Sequence, residues 1–174
     1  EGYGKANMAI SPRQTGSAFK PVVYAEALES QAITAATLLH DVPTTFAGNY
    51  KPKDYDLKWR GQVLVRRALA NSLNVPAVEV ITKAGIFNVV NLAHQMGISS
   101  MSDNAQYNLA TALGAENISL LELTSAYGTF ANNGMHTPPT MVSEIHDKYG
   151  REVKFEKKPP TQVLDSRVAF IISS

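Results

Sequence analysis

The chain contains no cysteine. That excludes disulfides, thiol catalysis and cysteine-based zinc sites, and it says nothing about compartment, since an extracytoplasmic protein need not have disulfides. No run of roughly 18 apolar residues is present, so no segment of this chain is expected to span a membrane. No secretory leader is visible. The net charge is only +1, which removes the electrostatic case for nucleic acid or an acidic membrane surface. Arg66-Arg67 and Lys157-Lys158 are pairs rather than patches and read as solvated surface. There is no internal repeat, no low-complexity tract and no glycine-rich phosphate loop. His136 and His146 lack the spacing of a metal-ligand pair. No metal and no cofactor are expected.

What is present is an ordinary globular composition, 174 residues with 44% hydrophobic and 18% charged, enough for one domain with a substantial core. The stretch that organises it is Arg13-Gln14-Thr15-Gly16-Ser17-Ala18-Phe19-Lys20-Pro21. It contains Ser-x-x-Lys, and the residues after it, to Leu28, read as a helix. Positions i and i+3 share one helix face, so a helix starting near Ser17 brings the Lys20 amine toward the Ser17 hydroxyl. A serine hydroxyl needs a base within hydrogen-bond reach to act as a nucleophile. Lysine serves as that base when burial disfavours its ammonium, and Ala18, Phe19, Val22 and Val23 supply an apolar wall. Free N–H groups at the helix start favour a developing oxyanion. Gly16 lets backbone pass close to a bound ligand. Ser-x-x-Lys arises by chance once per ~250 residues, so the motif does not identify the site alone.

A second motif stands at Arg67-Ala68-Leu69-Ala70-Asn71-Ser72-Leu73-Asn74-Val75-Pro76-Ala77-Val78. Val63 to Asn71 reads as a helix, and Ser72 and Asn74 fall on the connection to the next one. A hydroxyl and an amide two residues apart point into one cleft where the backbone is extended. The hydroxyl can relay a proton; the amide can both accept from and donate to a substrate peptide bond.

Ser-x-x-Lys followed by Ser-x-Asn resembles the penicillin-binding protein and serine β-lactamase superfamily. The fuller strings around Ser17 and Ser72 are similar to the transpeptidase domain of bifunctional, class A, penicillin-binding proteins. So are Leu113-Gly114-Ala115 and the segment from Leu121 to Gly134. The resemblance runs from about Lys5 to the C-terminus. It implies an α+β fold of the serine β-lactamase/transpeptidase type: a mostly helical lobe plus part of an antiparallel sheet, five-stranded in the complete domain. The family's third motif, Lys-Thr-Gly or Lys-Ser-Gly, does not occur, so residues 1–174 read as part of a transpeptidase domain cut before its last strands.

The resemblance implies Ser17 as nucleophile, Lys20 as its proton acceptor, Ser72 as proton relay and Asn74 as substrate ligand. The reaction implied is D,D-transpeptidation of the D-Ala-D-Ala end of peptidoglycan stem peptides, with β-lactams trapping the same serine. It further implies an upstream glycosyltransferase domain and a membrane anchor on the extracytoplasmic face of a bacterial membrane. A D,D-carboxypeptidase or β-lactamase would share Ser17 and Lys20, and a non-turnover sensor of β-lactam or peptidoglycan would share all four residues. Leu73, where β-lactamases often carry Asp, fits the penicillin-binding side.

Along the rest of the chain, Tyr3-Gly4 and Asn7 to Ile10 read as an approach segment, and residues 30–57 as irregular. Phe46, Tyr50, Tyr55 and Trp59 are expected to anchor that connection to the core, or else to line a groove. Pro76 suits the first turn of a helix ending at Gly85; Phe87 to Met96 is the next, stopped by Gly97. His94 reads as structural. Ser99 to Asn108 reads as a polar loop. Ser119 and Glu122 form a capping box, and Leu120, Leu123, Tyr127 and Phe130 recur at core spacing. Residues 141–156 alternate as a β-hairpin, with His146 and Asp147 exposed near its turn. Asp165 caps a last helix from Ser166 to Ser174.

Overall fold

The computed structural model describes residues 6–102 and 106–174; Tyr3, Gly4 and part of the Ser99–Asn108 loop lie outside the described residues. Everything is arranged around one helix, α1 (Lys20–Glu29). Phe19, Val22, Val23, Tyr24, Ala25 and Ala27 are fully buried. A helix that is apolar on all sides belongs inside a protein, and α1 packs against α2 (Val65–Ala70), α3 (Asn74–Ala84), α4 (Ile86–Gln95) and α6 (Ser166–Ser173). α5 (Leu120–Ala131) packs in turn on α6. Gly85, at φ +88°, ends α3 and lets α4 leave at 89°. No single helix among the described residues is long and apolar enough to cross a membrane.

The strands come as three antiparallel pairs among the described residues. β1 (Arg13–Gln14) pairs with β4 (Asn117–Ile118), β2 (Leu38–Asp41) with β3 (Gly61–Leu64), and β5 (Met135–His136) with β6 (Thr161–Gln162). The first pair brings Ser119 and the start of α5 toward the approach to Ser17. The second is decisive for the site. Alternate strand residues share a face, so Asp41 points the same way as the core residue Leu39, and both are fully buried.

Several expected elements fall elsewhere. The helix expected from Ser17 begins as a 3₁₀ turn, Gly16–Phe19, and becomes α-helical only at Lys20. Residues 30–57 are not wholly irregular, because β2 lies within them. The helix expected from Val63 starts at Val65, and Gly61–Leu64 is a strand; only the long-range partner β2 distinguishes the two readings. Asn7–Ile10 is a turn, closed by Ser11 N–H on the Asn7 carbonyl at 3.0 Å. Of the expected α5 core positions, Phe130 is buried but Leu120 and Tyr127 are exposed; Ala126 and Thr129 complete the buried face instead. The expected hairpin over 141–156 reduces to one bridge, His146 to Glu152, in a largely exposed segment, with Asp147 half-buried. A strand alternation with no second layer to face buries little and does not extend a ladder.

Other expectations agree with the fold. Ser119 and Glu122 make both bonds of the capping box. Asp165 caps α6 by accepting from the Arg167 N–H at 2.8 Å. Pro76 sits in the first turn of α3. His94 donates from Nε2 to the Met101 carbonyl at 2.6 Å, a structural contact. The four aromatics divide: Phe46 and Tyr50 pack against the core, whereas Trp59 is exposed and Tyr55 is fully exposed at the mouth of the cleft described next.

Candidate active site

Ser17 lies in the 3₁₀ turn, where residues i and i+3 eclipse one another. Its carbonyl accepts from the Lys20 N–H, which closes the turn and fixes the serine one turn before the lysine. Ser17 is exposed; Lys20, at the start of the central helix, is 1% exposed. The turn is held from two sides. The Tyr127 hydroxyl on α5 donates to the Ala18 carbonyl at 2.8 Å. The Gly16 N–H donates to the Gly114 carbonyl at 3.1 Å. A Cβ on Gly114 would stand 2.0 Å from the Gly16 oxygen, so glycine there is a packing requirement that the string Leu113-Gly114-Ala115 does not reveal by itself.

The second motif forms the end of α2. Ser72 N–H donates to the Leu69 carbonyl at 2.9 Å and Leu73 N–H to the Ala68 carbonyl at 3.0 Å. This is the Schellman pattern, whose C′ residue adopts the left-handed conformation and is usually glycine. Here it is Ser72, at φ +53°. Asn74 follows not as a loop residue but as the first residue of α3.

These two segments meet. The Lys20 amine donates to the Ser72 carbonyl at 2.5 Å, the Ser72 hydroxyl oxygen at 3.1 Å and the Asn74 Oδ1 at 2.7 Å. An ammonium has three N–H donors, and all three are engaged. Ser17, Ser72 and Asn74 line one open cleft of about 500 Å³, with Lys20 buried behind it. The four residues expected to form the site are therefore brought together. Burial brings the Lys20 ammonium down to about 8, against an opposing pull from the Asp54 carboxylate. At pH 7 about a tenth of the molecules then hold the amine neutral.

Four charged residues around this site carried no sequence signal. Asp54, 4% exposed, accepts from the Asn74 N–H at 2.5 Å. Arg60 reaches Asp54 and Asp41, each at 3.4 Å, and Asp56 at 2.7 Å. In sequence, Asp54 and Asp56 are indistinguishable from turn residues, and Asp41 stands nineteen positions before Arg60. Among the described residues no group of three or more His, Asp or Glu side chains is placed to hold a metal ion.

In fold, the chain is similar to the transpeptidase region of penicillin-binding proteins: it superposes on PonA1 of Mycobacterium tuberculosis, solved in complex with penicillin V, at 26% identity over 95% of this chain and 47% of that one. The TM-score against the PonA1 structure is 0.84. The chain belongs to the penicillin-binding protein transpeptidase domain family, whose model matches residues 3–170. It is 31% identical to penicillin-binding protein 1A of Pseudomonas aeruginosa over 169 residues, covering 94% of this chain and 20% of that protein. It is 36% identical to penicillin-binding protein 1A of Aquifex aeolicus over 163 residues, covering 90% and 22%. The chain thus spans about a fifth of the length of these curated relatives.

Proposed function

We propose that the chain carries the acylation half of a serine D,D-transpeptidase that cross-links peptidoglycan. The observation that carries this reading is the buried Lys20 amine, bonded to Ser72 and Asn74 behind a cleft that Ser17 also lines. Ser17 attacks the carbonyl of the terminal D-Ala-D-Ala bond of a stem peptide. Lys20 in its neutral form takes the Ser17 proton. Ser72, hydrogen-bonded to Lys20, passes a proton to the departing D-alanine nitrogen. Asn74 spends one amide N–H on the Lys53 carbonyl at 2.8 Å and its oxygen on Lys20; its second N–H is left for the substrate backbone. The Ser17 N–H, in the first turn of its helix, serves as one oxyanion donor.

The acyl-enzyme is then resolved by the amine of a second stem peptide. A hydrolase would instead need an acid free to activate water. The acids lining this cleft, Asp54 and Asp56, are bound to the Asn74 N–H and to Arg60, which favours transfer over hydrolysis. β-Lactams would acylate the same serine, as the family name and the penicillin V complex of the relative PonA1 support. With this reading come a remaining portion of the domain, an upstream glycosyltransferase domain, and anchoring at the extracytoplasmic face of a bacterial membrane.

The test is labelling of the full-length protein by a fluorescent penicillin. Ser17→Ala should abolish it; labelling at an unchanged rate would overturn the nucleophile assignment.

A further inference from the structure

Asn74 is gripped at three points, and two of them come from one short segment. Its oxygen accepts from Lys20, its amide nitrogen donates to the Lys53 carbonyl, and its backbone N–H donates to the Asp54 carboxylate. The Lys53 bond decides which way the amide faces, and therefore that oxygen, not nitrogen, meets the lysine. The Asp54 bond fixes the backbone on which that amide stands. It also satisfies one of the N–H groups that the first turn of a helix leaves without an intrahelical partner.

Asp54 has its own support. Its carboxyl and that of Asp41 both accept from Arg60. Asp41 Oδ1 is buried with no donor of its own. Burial first, and then Asp54, push the Asp41 carboxyl up.

We propose that Asp54 is the positioning residue of this site: a buried carboxylate, backed by Asp41 and Arg60, that fixes the Asn74 backbone and holds the Lys20 amine against Ser72 and Asn74. The inference rests on the reading of Lys20 as proton acceptor. The charged and titratable groups facing the pair are Asp41 on β2, Asp56 and Arg60 on the loop that carries Asp54, and Tyr24 on α1. Burial, with Glu79 of α3 and Asp54 behind it, pushes the Tyr24 hydroxyl up, so it stays neutral.

The test uses the full-length protein and the rate of acylation by a fluorescent penicillin as a function of pH. The acid limb of that profile reports the proton on Lys20. Asp54→Ala removes both acceptor and charge, and the rate should fall roughly 10-fold or more at every pH, as misplacement of a reacting group does. Asp54→Asn keeps an oxygen for the Asn74 N–H but removes the charge. Its alkaline plateau should stay within roughly threefold of the parent, while the acid limb moves to lower pH by roughly half a unit to one unit. An unmoved limb in Asp54→Asn overturns the proposal, as does a parental rate in Asp54→Ala. Should the alanine variant fail to fold, the asparagine variant decides alone, because a purely structural role does not move a pH limb. Ser17→Ala and Lys20→Met run in parallel. Labelling that survives in Ser17→Ala sinks the acyl-enzyme reading itself; labelling lost in both, with an unmoved limb in Asp54→Asn, sinks only the role of Asp54.

Discussion

The Lys20 amine and the Ser72 hydroxyl oxygen, fifty-two residues apart in sequence, stand 3.1 Å apart. A protonated Lys20 donates across that distance; a neutral one accepts from Ser72, and the contact becomes a proton path. Truncating either end, by Lys20→Met or Ser72→Ala, should slow penicillin acylation of the full-length protein roughly 10²–10⁴-fold. Stopped-flow or gel-based labelling rates check this, and a loss under tenfold in both variants would remove the contact from the reaction.

The same contact predicts a direction in pH. Burial lowers the Lys20 ammonium to about 8, so the base is mostly protonated at neutral pH and mostly free at pH 9. Acylation should therefore rise with pH and level off above about 8. A rate that is flat between pH 6 and 9 would mean that another group removes the Ser17 proton.

Ser72 occupies a position where its own fold prefers glycine. The left-handed conformation at φ +53° costs a residue with a Cβ about 1 kcal/mol or more. Ser72→Gly should raise stability against urea by roughly that amount while sacrificing acylation. A variant both less stable and inactive would show that the hydroxyl holds the turn rather than serving the chemistry.

Two glycines separate conformational cost from crowding. Gly114 and Gly48 both have positive φ, +71° and +69°, but only at Gly114 would a Cβ meet another group, the Gly16 oxygen. Gly48→Ala should cost about 1 kcal/mol and leave acylation unchanged. Gly114→Ala should cost at least about 2 kcal/mol and slow acylation, since the backbone it displaces leads directly into Ser17. Equal effects in the two variants would contradict the contact.

Glu122 makes a prediction about acid stability. Burial alone would raise its carboxyl, but bonds from Ser119, Ser99 and Ser100 outweigh it and bring it down to about 2. A carboxylate with a depressed folded pKa stabilises fully above its unfolded value, 4.5, and the benefit fades as pH falls toward 2. Glu122→Gln should lower the thermal midpoint at pH 7, and the gap from the parent should narrow at pH 3. A gap that stays constant would assign the effect to shape rather than charge.

The pair proposed as nucleophile and base, and the motif that meets it, were legible because each is local. Ser17 and Lys20 are three apart, Ser72 and Asn74 two apart, and helix periodicity converts such spacings into geometry. Caps behave the same way: Ser119 with Glu122, Asp165 before α6 and Gly85 between α3 and α4 are decided within one turn of chain. What α5 buries was misread from its spacing because exposure depends on which neighbour covers a face; Leu120 and Tyr127 have the right period and the wrong surroundings.

By itself, then, the sequence determined the fold family, the helices and the four side chains of the cleft, since those depend on short-range pattern. Only the tertiary structure decided that Lys20 is buried, that β2 and β3 exist, and that Asp41, Asp54 and Arg60 gather beneath Asn74. The reason is that a buried charge is tolerated only where partners from distant segments converge on it. No window of sequence contains both Asp41 and Asn74, and their meeting is set by the β2–β3 pairing and by the packing of α3 on α1.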